Sequence, residues 1–269
     1  MRDRLALHTW TLDTTPLAGA LRAARAAGWP AVELRRVDFA RAAEAGQPAD
    51  AVLDQVRASG LRVACVGGQL GWMFSDGAER RRLLDAVAES CRWARALGAP
   101  VVMSPADLGT GSLADAAAGV RELGDRAAEA GVRLALEPPS QAQQLNTVER
   151  IRELLGRARH PSCGILLDAY HLHRGGGGLR QVEDLDPSEI AYVQYSDVPS
   201  SGLEPGQTAN RLPPGRGVVP FREFFALVEA KGYVGDLSYE APNPAAWARD
   251  PETVAKEALA ATLAVLPGA

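Results

Sequence analysis

Lysine is almost missing from this chain of 269 residues: Lys231 and Lys256 are the only two. One falls at a helix end and the other within a helix pattern, so neither is placed as the desolvated amine that Schiff-base chemistry requires. That argues against a lysine-dependent aldolase. Cysteine is scarce too, and Cys65, Cys91 and Cys163 have no metal-type spacing. Two of them sit in apolar surroundings, so they read as buried free thiols of a reducing compartment, with neither a zinc cluster nor a disulfide framework. No apolar run approaches the ~18 residues of a membrane span. The chain enters "LALHTW" at once, with no leader-like segment. The expectation is a soluble, cytoplasmic protein that makes no membrane contact. Positive charge is not in excess: the formal net charge is −4, which gives no general attraction for nucleic acid or anionic lipid. The arginine groups Arg22/Arg25 and Arg80–Arg82 are interleaved with Ala, Asp and Glu, as on solvated helix faces.

What is present is a regular alternation. Short runs rich in Val and Leu read as strands covered on both faces: "LALHTW" (5–10), "AVELR" (31–35), "RVACVG" (62–67), "PVVMS" (100–104), "RLALE" (133–137), "GILLD" (164–168), "YVQYS" (192–196) and "DLSYE" (236–240). Amphipathic helix patterns lie between them. In residues 112–131, Leu113, Ala116, Ala117, Val120, Leu123 and Ala127 recur at the spacing of one helical stripe, and Ser112 suits the N-cap. Gly28, Gly60, Gly98, Gly131 and Gly232 stand where helices must stop before the next strand, and Pro220 suits a first helical turn. Eight strands alternating with eight helices predict a single α/β domain over residues 1–269, a (β/α)8 TIM barrel. A doubly wound open sheet would want a glycine-rich phosphate turn after the first strand, and "HTWTLDTTP" has none. The long irregular segment 197–219 after strand seven reads as a substrate loop.

Barrels of this kind carry their chemistry at the carboxy ends of the strands. Those ends offer His8, Glu33, Ser104, Glu137, Asp168, Gln194 and Glu240. Four consecutive strands, five to eight, each supply an oxygen ligand: Glu137, Asp168, Gln194 and Glu240. Carboxylates gathered so closely repel at low dielectric, and a divalent cation is the usual remedy. Three carboxylates and an amide oxygen form a hard, all-oxygen set suited to Mn²⁺ or Mg²⁺, with Co²⁺ tolerated.

With these residues in view, the chain resembles the xylose isomerase-like TIM-barrel superfamily of sugar and sugar-phosphate isomerases, epimerases and related dehydratases. The likeness runs from "GWPAVELR" to "GYVGDLSYE" and is strongest at "LALEPP…LNT" (134–147), "LLDAYH" (166–171), "VQYSD" (193–197), "NRLPPGRG" (210–217) and "LSYE" (237–240). The resemblance implies that Glu137, Asp168, Gln194 and Glu240 hold the metal. It also implies that His171 touches substrate beside the metal and that Arg211 binds a substrate oxygen. The strand-seven ligand of the family is commonly His within His-x-Lys-Asp, whereas this chain has Gln194, with Ser196 in the lysine position. Glutamine there resembles the 3-dehydroshikimate dehydratase branch, while "LEPPSQAQQLNT" is closer to ketose 3-epimerases and hydroxypyruvate isomerases.

The chemistry implied is proton abstraction next to a carbonyl to give an enediolate on the metal, with Glu137 and Glu240 as base and acid on opposite sides and His171 as donor to a substrate oxygen or as general acid. His8 and Glu33 are the further candidates for lining the substrate pocket, beside Arg211. Trp10, Trp72 and Trp247 are either apolar walls or core. His160 reads as surface and His173 as a weaker candidate. Gly175–Gly178 lacks the Lys-Ser/Thr ending of a phosphate loop and reads as slack at a lid edge. The leading expectation is an isomerase or epimerase of a small polyhydroxylated carbonyl compound. A lyase acting on 3-dehydroshikimate or a keto-inositol comes second. A barrel endonuclease for abasic DNA is a third reading, opposed by four histidines and an acidic balance; a non-catalytic relative is the fourth. The partner expected is a small polyol or keto compound, with no nucleic acid; a homo-oligomer is compatible with the sequence. Arg211 and Arg216 suit a phosphate or a carboxylate equally.

Overall fold

In the computed structural model, which describes residues 1–268, eight parallel strands follow one another in chain order and close into a barrel. They are β1 (Leu5–His8), β2 (Ala31–Leu34), β3 (Arg62–Gly67), β4 (Val101–Pro105), β5 (Arg133–Glu137), β6 (Cys163–Asp168), β7 (Ile190–Tyr195) and β8 (Leu237–Tyr239). The helices are α1 (Leu17–Ala27), α2 (Arg36–Glu44), α3 (Ala49–Ser59), α4 (Gly77–Leu97), α5 (Leu113–Ala130), α6 (Val148–Ala158), α7 (Ala169–Arg174), α8 (Arg180–Glu183), α9 (Phe221–Ala230), α10 (Pro244–Trp247) and α11 (Pro251–Leu263). The predicted TIM barrel is therefore the fold. Strand limits differ from those predicted by one or two residues; at the first strand, Thr9–Leu12 turn into a 3-10 helix.

The helices are less evenly shared out than expected. Eight have nine residues or more, but β2 and β3 are joined by two of them, α2 and α3, while only the short α7 and α8 lie between β6 and β7. The glycines that follow Arg174 explain the second case, because four glycines in a row make continued helix costly. Elsewhere the stop signals act as predicted. Gly28, Gly60, Gly98 and Gly131 are left-handed C-caps of α1, α3, α4 and α5. Ser112 caps α5 by accepting from the Asp115 N–H. The α5 stripe is buried at Ala116, Ala117, Val120, Leu123 and Ala127. Pro220 lies one residue earlier than predicted, at the N-cap of α9.

The chain packs as two compact units, one comprising residues 1–64 with the chain from Val193 onward, the other Cys65–Tyr192. In the first, His8 is in register with Glu33, Gln194 with Ser238, and Ala6 with both Ala31 and Ser238. Alternation along a strand then puts Ala6, Ala31 and Ser238 on the same face as His8 and Glu33, one step below them. Those small residues leave room beneath the polar ends. In the second unit β4, β5 and β6 pair side by side, with Pro105 opposite Glu137. Gly164 on β6 is needed there: a Cβ would sit 2.8 Å from the Glu189 carbonyl oxygen and 2.8 Å from the Ala191 Cβ. No helix among the described residues is long and apolar enough to cross a membrane.

Candidate active site

The first unit gathers five of the predicted site residues. His8, Glu33, Gln194, Arg211 and Glu240 are all buried. His8 Nδ1 accepts from the Trp10 backbone N–H at 3.0 Å, which leaves the hydrogen of the neutral ring on Nε2. Nε2 lies 3.3 Å from Glu240 Oε1 and 3.6 Å from Glu33 Oε1. Burial, and then the Arg35 and Arg211 guanidiniums, hold the His8 pKa well below its ordinary value. His8 is thus held neutral, with Nε2 facing Glu240 and Glu33. Arg211 Nη1 donates to Glu240 Oε2 at 2.7 Å, a charge-assisted bond between two buried groups. Glu33 Oε1 accepts from Gln194 Nε2 at 2.9 Å. The other end of that amide, Gln194 Oε1, is buried without a hydrogen-bond partner, as are Ser196 Oγ and Ser238 Oγ.

Arg211 arrives by a loop anchored on Asp197. This fully buried carboxylate accepts three backbone N–H groups, Val198 and Val219 on Oδ1 at 2.9 Å each and Gly217 on Oδ2 at 2.7 Å. The Asp197 backbone pairs with Leu212 in an antiparallel bridge. Glycine is obligatory at 217, since a Cβ would collide with the Val198 carbonyl oxygen. The predicted substrate loop is therefore an ordered strap at its base. Arg216, by contrast, is exposed.

The second unit brings Glu137, Asp168 and His171 together, each buried, with one ligand atom apiece within 4.8 Å of the others. Asp168 ends β6 and caps α7, accepting the Tyr170 N–H at 2.9 Å on Oδ1. Three residues on, His171 comes back over it. The Ser140 backbone N–H donates to His171 Nδ1 at 3.1 Å, so the ring hydrogen is on Nε2. Nε2 lies 3.6 Å from Glu137 Oε1 and 3.8 Å from Asp168 Oδ2. With its hydrogen there, Nε2 faces both acids as a donor.

The remaining candidates make contacts of other kinds. Ser104 accepts from Trp72 Nε1 at 3.0 Å and donates to the Gln69 carbonyl, so both are core groups. His173 is exposed, and His160 pairs with Asp125 at 3.2 Å. Trp10 and Trp247 are half-buried and joined by an indole-to-carbonyl bond of 3.0 Å. All three cysteines are buried and free, and burial pushes Cys91 up to about 11 and Cys163 up to about 12.

Glu137 and Asp168 supply close carboxylate oxygens that suit a divalent cation. In the first unit, Gln194 supplies a buried acceptor without a partner. An unmet buried acceptor costs about 1–3 kcal/mol, so one held in place is best explained by a ligand. Glu240 retains acceptor sites on both oxygens beyond those used by His8 and Arg211. Sequence reasoning missed Ser140, whose N–H sets the tautomer of His171, and gave Asp197 and Ser238 no role. An Asp directly after a strand end is a signal for a loop anchor; a backbone donor such as that of Ser140 leaves no trace in the sequence.

Comparison with known proteins follows the same line. Residues 21–264 match the family described as xylose isomerase-like TIM barrel. A 3-dehydroshikimate dehydratase of Pseudomonas aeruginosa is 34% identical over 126 residues, 46% of this chain and 20% of that protein. An inosose isomerase of Halalkalibacterium halodurans is 27% identical over 146 residues, 54% of this chain and 52% of its own length. The matches thus span about a fifth and about half of these relatives. The crystal structure of the IolI protein with a bound zinc atom superposes with a TM-score of 0.86 at 18% identity, covering 98% of each chain.

Proposed function

Because the chain belongs to the xylose isomerase-like TIM barrel family, we propose that it is a divalent-metal isomerase or epimerase of a small polyhydroxylated carbonyl compound. The observation that carries this reading is the partnerless buried oxygen of Gln194 near the end of β7. Glu137, Asp168, Gln194 and Glu240 would hold the ion, as Mn²⁺ or Mg²⁺ first and Co²⁺ next by their all-oxygen character. When bound, it would polarise the substrate carbonyl and steady the negative charge developing there.

The chain's own residues supply the proton steps. One of Glu137 and Glu240 removes the proton from the carbon beside the carbonyl, and the C–H electron pair becomes the double bond of an enediolate. The other glutamate, protonated, returns a proton to the neighbouring carbon for isomerisation or to the opposite face for epimerisation. His8 and Arg211 keep Glu240 from turning away. His171, its hydrogen fixed on Nε2 by Ser140, donates to a substrate oxygen next to Glu137.

A second reading, loss of water from the enediolate, is favoured by the glutamine at position 194 and by the 34% identity to a dehydratase. His171 then protonates the departing hydroxyl. Incubating the protein with Mn²⁺ in D₂O against ketoses, keto-inositols and 3-dehydroshikimate tests both. Proton NMR reports exchange and isomerisation, and ultraviolet absorbance of an aromatic or enone product reports dehydration. Exchange of the proton beside the carbonyl in one class is expected; no exchange in any class contradicts the proposal.

A further inference from the structure

Glu33 takes no part in the proton steps above, yet its carboxylate is fully buried at the end of β2 and accepts the one hydrogen bond made by the Gln194 side chain among the described residues. A glutamine amide has two ends of nearly equal size, and a half-turn about its last bond exchanges NH₂ for oxygen at little steric cost. Only the oxygen end can bind a cation. A carboxyl oxygen that carries no hydrogen can only accept, and Glu33 Oε1 accepts from the NH₂ end. With Nε2 held 2.9 Å from Glu33 Oε1, Gln194 Oε1 must face away from Glu33, and there it is buried with no partner. Ser238, in register with Gln194 on the next strand, makes no bond to the amide; its own Oγ is likewise unsatisfied.

We propose that Glu33 is a positioning residue that fixes the Gln194 amide in the sense that offers its oxygen to the metal. The inference rests on the metal reading given above and adds the device that makes a neutral, two-ended side chain a dependable ligand. Without Glu33, the amide is free to present NH₂ to the cation, which is repulsive, for part of the time. Glu33 is itself close to His8 Nε2, which helps to hold its carboxylate in place. Outer partners of metal ligands typically change affinity by about 10–100-fold when removed.

Mn²⁺ affinity, read from the electron paramagnetic resonance of free Mn²⁺, tests this without substrate. The wild type, Glu33→Leu, Glu33→Gln and the double variant Glu33→Gln/Gln194→Glu are compared, with circular dichroism confirming the fold. Glu33→Leu is expected to weaken binding by about 10–100-fold. Glu33→Gln is expected to lie between the two, because an amide at position 33 accepts either sense of Gln194. The double variant keeps the total charge: the new amide donates to one oxygen of the new carboxylate and leaves the other for the metal, so affinity returns toward wild type. Mn²⁺ bound by Glu33→Leu as tightly as by wild type overturns the proposal, as does a double variant no better than Glu33→Gln. If Glu33→Leu does not fold, the Glu33→Gln and double-variant pair still decides. A wild type that binds no Mn²⁺ instead defeats the metal reading itself, and the inference with it.

Discussion

Replacing Asp197 with alanine removes an acceptor of three backbone N–H groups. Two of these, on Val198 and Val219, are buried, and the third, on Gly217, is half-buried. Hydrogen bonds to a charged group contribute about 1.5–3 kcal/mol each, and a stranded buried donor costs about 1–3 kcal/mol. Water reaches the Gly217 N–H after truncation, so the loss is set mainly by the two valines and comes to about 3–5 kcal/mol. That is a large share of the roughly 5–15 kcal/mol by which domains are stable. Asp197→Asn is milder, because its oxygen still serves Val198 and Val219 and only the Gly217 bond turns into a donor facing a donor. Equilibrium urea unfolding followed by circular dichroism measures both variants with one linear extrapolation. A loss below about 1 kcal/mol in Asp197→Ala, or a greater loss in Asn than in Ala, refutes the assignment of Asp197 as the anchor of the Arg211 loop.

Glu137→Gln and Glu240→Gln should each lower the exchange of the proton beside the carbonyl by about 10²–10⁴-fold, the usual worth of general acid–base groups; wild-type exchange in both, read by NMR in D₂O, removes them from the mechanism. Gly164→Ala places a Cβ against Glu189 and Ala191 and should destabilise by about 1–3 kcal/mol through overpacking, seen as a lower melting temperature. Cys91 and Cys163, pushed up to about 11 and about 12, should resist Ellman's reagent at pH 8 in the folded protein and react in guanidinium. Their raised folded pKa values mean that the unfolded chain gives up these protons first. Stability from this source is therefore full below about pH 8.5 and falls above it.

The barrel was legible because each of its signals is local. Strand runs, the α5 stripe and the glycine caps depend on a few neighbouring residues, and these matched the structure closely. The uneven crossovers were not legible, since the choice of two helices after β2 and short ones after β6 depends on packing and on the glycines beyond Arg174. The places of Glu137, Asp168, Gln194 and Glu240 at or beside strand ends could be read from the sequence. Their interactions could not. Glu33 was expected to line the substrate pocket, and its hydrogen bond with Gln194 was not foreseen, because the contact joins residues 161 positions apart. His171 was read as donor or acid, and only the Ser140 backbone N–H decides which nitrogen carries its hydrogen.

The central claim is that Glu137, Asp168, Gln194 and Glu240 share one divalent ion. Anomalous diffraction at the manganese edge from crystals grown with Mn²⁺ tests it most directly. The account predicts a single strong peak within about 2.0–2.3 Å of an oxygen from each of the four side chains, with Gln194 contributing Oε1 while Nε2 remains on Glu33. A peak bound elsewhere, or one that leaves Gln194 out, contradicts it.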